Sequence, residues 1–236
     1  MFLFALAVAP TIAICLFVYS LNTYGRGAIG YLALVFVLGM LATLPALRLQ
    51  QLVVDPRNQP WRHSILYFAR YAFLVIALSE EGCKFLVLRI FAYPRPLFRE
   101  PFDGIVFSVM IGMGFATVEN ILYIHQLGLE AGVSRFFLAV PAHASFAVLM
   151  GYPAGKAKTD RPHAFWLLLQ GLTVAILFHG SFDFFLFLQQ SREAQKYLST
   201  EILSFGTFAS FYIAVRLAMR AIRRHRTQID QINPPE

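Results

Sequence analysis

Glu80 and Glu81 stand side by side in an otherwise apolar stretch that runs from about residue 64 to residue 93. A carboxylate placed in hydrocarbon costs about 3 kcal/mol on insertion scales, so two together need compensation nearby and read as functional by default. Lys84 lies four residues after Glu80, which puts the two on one helix face. Glu81 is turned roughly 100° away from them. A structural reading makes Glu80–Lys84 an ion pair that pins two helices, and it leaves Glu81 without a role. A chemical reading uses all three: Lys84 holds one carboxylate charged while burial favours the neutral form of the other. Carboxylates set apart in this way are what acid–base chemistry needs.

Three further segments carry ionisable residues among apolar ones. Glu119 and Asn120 follow Phe115 near the end of a run rich in Gly104, Gly112, Gly114 and Ala116. Small residues let helices approach closely, which aims Glu119 at a partner helix, although a glutamate near a helix end also snorkels to the interface. His143 follows Pro141. The bland reading of His143 is an interhelical hydrogen bond, and Pro141 can loosen the backbone ladder beside it. His179 and Asp183 are four residues apart on one face, so Asp183 can orient the imidazole or share in ligation, or the two can simply neutralise each other.

Two chemistries suit this set. A carboxylate can activate a water while His and Asn donors stabilise the oxyanion of a scissile amide. Alternatively His143, His179 and Glu119 could hold zinc, leaving another glutamate as the base. The H-E-x-x-H helix of many zinc proteases is absent. Nothing in the chain has the form of a serine nucleophile elbow or a phosphate loop. Cys83 lies beside the glutamates, but a buried cysteine is more often a small apolar residue than a nucleophile.

The elements that must position these residues follow from composition. Of 236 residues, 58% are hydrophobic and 14% charged, against about 25% charged in a soluble domain. A span needs about 20 mainly apolar residues, and such segments fall at 2–21, 28–47, 64–93, 102–124, 133–152, 163–189 and 198–220. The expected fold is all-α, a polytopic transmembrane helix bundle of about seven spans, because helices satisfy their own backbone groups in lipid. It becomes eight if 64–93 is split or re-entrant near Glu80–Gly82. A single long tilted helix is the simpler form. We read residues 1–220 as one membrane domain with a motif-bearing core at 64–190, followed by a basic tail at 221–236. The N-terminus lacks a basic leader region and reads as a first span rather than a cleaved signal. Arg220, Arg223, Arg224 and Arg226 place the tail in the cytoplasm by the positive-inside rule. Seven simple spans then leave the connection at 48–63 outside, despite Arg48, Arg57 and Arg62. The net charge of +7 fits spans flanked by basic residues against anionic lipid, not nucleic acid. Cys15 and Cys83, the two cysteines, suggest no disulfide framework.

The polar segments, in this order, resemble the PrsW family of intramembrane proteases, which is related to the CAAX-protease-like superfamily. The resemblance rests on Glu80-Glu81-x-x-Lys84, Phe115-x-x-x-Glu119-Asn120, Pro141-x-His143 followed by Gly151-Tyr152, and His179-x-x-x-Asp183, with Asp103-Gly104 opening the fourth segment. It covers residues 64–190. It implies a multi-pass protein of the bacterial plasma membrane that cuts a peptide bond in a membrane-associated protein, an anti-sigma factor being one such substrate. Glu80 and Glu81 would be the catalytic carboxylates and His179 their partner, with Lys84, Glu119, Asn120, His143 and Asp183 completing the site. The wider superfamily has a histidine where this chain has Glu119. Members of the family are often labelled metalloproteases, while metal-independent glutamate catalysis is argued for their CAAX-protease relatives. Zinc is therefore expected on equal terms with no metal at all. The competing class is a proton-coupled carrier or a non-enzymatic membrane scaffold, since buried Glu, His and Asp also mark proton relays. The missing inverted repeat counts against a carrier.

Overall fold

A computed structural model describes residues 2–21, 28–53 and 64–232. Among the described residues every regular element is helical, as a chain without water around its backbone groups requires. We number the helices α1 (Phe2–Ser20), α2 (Ile29–Val53), α3 (65–92), α4 (Pro101–Ser134), α5 (Val140–Thr159), α6 (Ala164–Leu188) and α7 (Thr200–Ile232). Five of them are long and apolar enough to cross a membrane: Ile29–Val53, Pro101–Glu130, Gly132–Thr159, Arg161–Leu188 and Thr200–Arg224. They fall on five of the seven expected segments. The other two are α1, a shorter apolar helix, and α3, which is assembled from four successive pieces. The connection whose charge conflicts with seven spans falls largely on residues 54–63, outside the described residues; 48–53 belong to α2.

Helix α3 carries the paired glutamates. It starts with the Ser64 side chain accepting from the Tyr67 backbone N–H. It then runs through an α turn (Ile65–Arg70), a π stretch (Tyr71–Ala77), an α segment (Leu78–Val87) and a second π stretch (Leu88–Ala92). The junction residues Arg70, Ala77 and Val87 all keep right-handed helical angles. The helix therefore passes Glu80–Gly82 without a break, and the re-entrant alternative is not the form adopted. π turns inside α-helices concentrate at functional sites, and here one lies directly before the glutamates.

Helix α4 is the axis of the bundle. Its membrane-length window is 83% buried, against 28% for α7, and α1, α2 and α5 pack on it. The approach is close because the contact residues are small. A Cβ on Gly104 would lie 2.1 Å from the Gly151 carbonyl oxygen on α5, and one on Gly114 would lie 2.0 Å from the Phe36 carbonyl oxygen on α2. Backbone cannot retreat as a side chain can. Gly104→Val should therefore destabilise the bundle by about 3 kcal/mol or more, read as a lowered unfolding midpoint in detergent. At Gly30 a Cβ would meet nothing within 4 Å, so Gly30→Ala is the matched control and should leave the midpoint unchanged.

Gly128 has φ 79° and ψ −159°, a left-handed conformation that favours glycine. The straight part of α4 ends there, and a π turn at Arg135–Ala139 leads into α5. Helix α7 continues to Ile232, into the basic residues of the tail. Apolar side chains such as Phe205, Phe208 and Tyr212 point outward from α7, as a lipid-facing surface does. Cys15 and Cys83 are free and buried.

Candidate active site

Four helices bring the polar residues together. Helix α3 supplies Glu80, Glu81 and Lys84, α4 supplies Glu119 and Asn120, α5 supplies His143, and α6 supplies His179 and Asp183. All eight are buried. Glu80 and Lys84 share a face, but the ammonium lies closer to Glu81: Nζ is 2.8 Å from Glu81 Oε1 and 3.5 Å from Glu80 Oε2. The reason is tertiary. His179 Nδ1 also lies 2.8 Å from Glu81 Oε1, and His143 Nδ1 lies 3.1 Å from Lys84 Nζ, so neighbouring helices draw both groups to the Glu81 side.

These contacts determine the tautomer of His143. Lysine only donates, so His143 Nδ1 accepts from Lys84 and its proton sits on Nε2. That proton is donated to Glu119 Oε2 at 2.8 Å. Glu81 accepts from His179 Nδ1, which leaves His179 Nε2 turned towards Asp183 Oδ2 at 3.3 Å and Glu80 Oε2 at 3.9 Å. The His179–Asp183 pairing expected from their spacing is thus present, with Glu81 on the other ring nitrogen.

A cavity of about 540 Å³ opens on this cluster. Glu80, Glu119, His143, His179 and Asp183 line it, whereas Glu81 and Lys84 do not. The adjacent glutamates therefore have different surroundings. Glu81 is tied through Oε1 to Lys84 and His179, behind the wall. Glu80 faces the open space. One oxygen of each carboxylate, Oε2, makes no hydrogen bond among the described residues, but only that of Glu80 belongs to a residue lining the cavity. Gln50, at the end of α2, donates to Glu80 Oε1 at 3.3 Å and to Ser79 Oγ at 3.2 Å.

Glu80, His143 and His179 each offer a ligand atom, all within 4.8 Å of one another. Two imidazoles and a carboxylate are a donor set that suits catalytic zinc, and ligation by His143 would displace Lys84 from Nδ1 or Glu119 from Nε2. Glu119, grouped with the histidines on sequence, instead pairs with His143 and with Arg135 Nη2, each at 2.8 Å. The cluster sets four carboxylates (Glu80, Glu81, Glu119 and Asp183) around Lys84, Arg135 and the two imidazoles.

Arg135 and Gln50 are not among the residues that the sequence singles out. Arg135 carries the same signal as the glutamates, a charge in an apolar segment, but it stands at the start of that segment, where snorkelling to the interface is ordinary. Gln50 is an uncharged amide near a helix end and gives no signal. Phe146, whose ring stacks on His179 at 5.0 Å between centroids, looks like any core aromatic in sequence.

Fold and site define a multi-pass, all-α membrane protein with a buried cluster of ionisable side chains around a cavity. Residues 27–218 match the PrsW family intramembrane metalloprotease model, and the chain belongs to that family; it is a peptidase. It is 38% identical to Protease PrsW of Shouchella clausii over 180 residues, 76% of this chain and 81% of that protein. It is 34% identical to Protease PrsW of Halalkalibacterium halodurans over 188 residues, covering 77% and 82%. Against Protease PrsW of Bacillus subtilis it is 35% identical over 181 residues, covering 76% and 80%. No solved structure matches the chain.

Proposed function

We propose that the protein is an intramembrane endopeptidase in which Glu80 is the general base. The observation that carries this reading is the unequal setting of the paired glutamates: Glu80 lines the cavity and its Oε2 makes no hydrogen bond among the described residues, with Lys84 Nζ at 3.5 Å, while Glu81 is tied to Lys84 and His179 and does not line it. Glu80 takes a proton from a water as the water oxygen bonds to the scissile carbonyl carbon. His143 and His179 border the same space and stabilise the developing oxyanion or polarise the water. As the C–N bond breaks, the amine nitrogen takes up the proton that Glu80 collected. Glu81 and Asp183 orient His179 from its two nitrogens, and Lys84 balances the glutamates. Should Glu80, His143 and His179 hold zinc, the metal would supply Lewis-acid polarisation of the carbonyl, and Glu80 would then be a ligand and leave the role of base to another carboxylate of the cluster.

The substrate is a protein associated with the membrane, and an anti-sigma factor is the class that the sequence resemblance suggests. The same resemblance supports a bacterial plasma membrane location, and the basic end of α7 supports a cytoplasmic C-terminus. A carrier is disfavoured because the ionisable groups converge on one cavity instead of forming a path along the bundle. The test is cleavage of a reconstituted membrane-protein substrate, with metal content and chelator sensitivity measured on the same preparation. Glu80→Ala, Glu81→Ala and His179→Ala should each lose activity; full activity in all three sinks the proposal.

A further inference from the structure

We infer that Arg135 is a positioning residue of this site, acting through Glu119 and His143; the inference rests on the hydrolytic reading above. Arg135 enters from the π turn before α5 and takes three partners on α4. Its Nη2 donates to Glu119 Oε2 at 2.8 Å, its Nε donates to Asn120 Oδ1 at 2.8 Å, and its guanidinium lies 4.1 Å from the centre of the Tyr123 ring. Asn120 in turn donates to the Ala7 carbonyl on α1 at 3.2 Å. The guanidinium is thus fixed in place by two helices, and its planar fork is suited to such a double grip.

Glu119 Oε2 receives both Arg135 and the Nε2 proton of His143. The other nitrogen of His143 accepts from Lys84, and Lys84 also holds Glu81, which orients His179. An unbroken series of contacts therefore links Arg135 to both histidines. Without the guanidinium, the buried charge of Glu119 keeps only the hydrogen bond from the neutral His143 imidazole. The next cation to act on Glu119 is Lys84, and a shift of Lys84 towards it would break the contact that defines the His143 tautomer and loosen Glu81. Arg135 borders the cavity, but its guanidinium is taken up by Glu119 and Asn120, so its loss should act on kcat through His143 more than on substrate binding.

The test uses the full chain with two readouts. In the cleavage assay, Arg135→Met should lower kcat by about 10- to 100-fold, the range for outer-shell partners, with KM within about twofold. Combining it with Glu119→Gln should cost no more than Glu119→Gln alone, because the charge that Arg135 balances is gone. The second readout is the pair of histidine ring 15N shifts of His143 in micelles, which should show a single Nε2–H tautomer in the parent and change in Arg135→Met. Parent-like kcat with unchanged shifts, a rise in KM alone, or additive losses in the double variant would overturn the inference. If Arg135→Met does not fold, Arg135→Gln takes its place, since it supplies an amide donor on a similar stem but removes the charge that balances Glu119. Lowered kcat at constant KM then supports the role, and parent-like kcat rejects it. Should the parent cleave no better than Glu80→Gln, the hydrolytic reading fails, while the tautomer measurement still decides whether Arg135 organises His143.

Discussion

Glu80→Gln should abolish measurable proteolysis while leaving the bundle as stable as the parent. The substitution preserves size and shape and removes the base, and general acid–base groups contribute on the order of 10²- to 10⁴-fold to rate. The amide oxygen of the new side chain can keep the contact with Gln50 Nε2, which lies 3.3 Å from Glu80 Oε1, and its NH₂ can face the cavity. No buried partner is left without its ion, because the closest cation, Lys84, is held at 2.8 Å by Glu81. Glu81→Gln is the informative contrast. It weakens the contacts to both Lys84 and His179, so it should lose stability as well as activity. Activity within tenfold of the parent in Glu80→Gln, with full loss in Glu81→Gln, would transfer the role of base to Glu81.

The largest stability effect should come from Lys84→Met. Lys84 is a buried ammonium with Glu81, Glu80 and His143 within 3.5 Å and the Phe115 ring centre at 4.2 Å. Methionine fills the stem but supplies no donor. Two glutamates then lose their nearest cation, and His143 Nδ1 loses its donor. Removing one partner of a buried pair typically costs about 3–5 kcal/mol, because the remaining charge is uncompensated. In a chain of this length that corresponds to a fall in Tm of roughly 10 °C, measurable by thermal unfolding in detergent. Adding Glu81→Gln should recover part of the loss, since it removes one of the stranded charges. A Tm equal to that of the parent would show that Lys84 does not carry this balance.

The reach of sequence reasoning is clearest at these residues. Glu80, Glu81, Lys84, Glu119, His143, His179 and Asp183 are conspicuous because ionisable groups are costly in apolar segments, and the structure gathers them around one cavity. Their pairings are less legible. The spacing of Glu80 and Lys84 favours an i,i+4 contact, yet Glu81 wins because His179 arrives from α6 and shares its oxygen. Arg135 escapes notice because a charge at a segment edge usually reaches for the interface, and only the turn between α4 and α5 directs it inward to Glu119.

By itself the sequence determined the helical membrane class, the segments that bear the chemistry and the residue types available to it. Those follow from local properties: hydropathy, helix periodicity and the cost of a buried charge. Only the tertiary structure decided which of two adjacent carboxylates lines the cavity, which nitrogen of His143 carries the proton, and that Glu80 rather than Glu119 stands with both histidines in a metal-sized group. Such choices depend on the rotation of one helix against another and on distances of a few ångströms between residues far apart in the chain, and no local pattern encodes them.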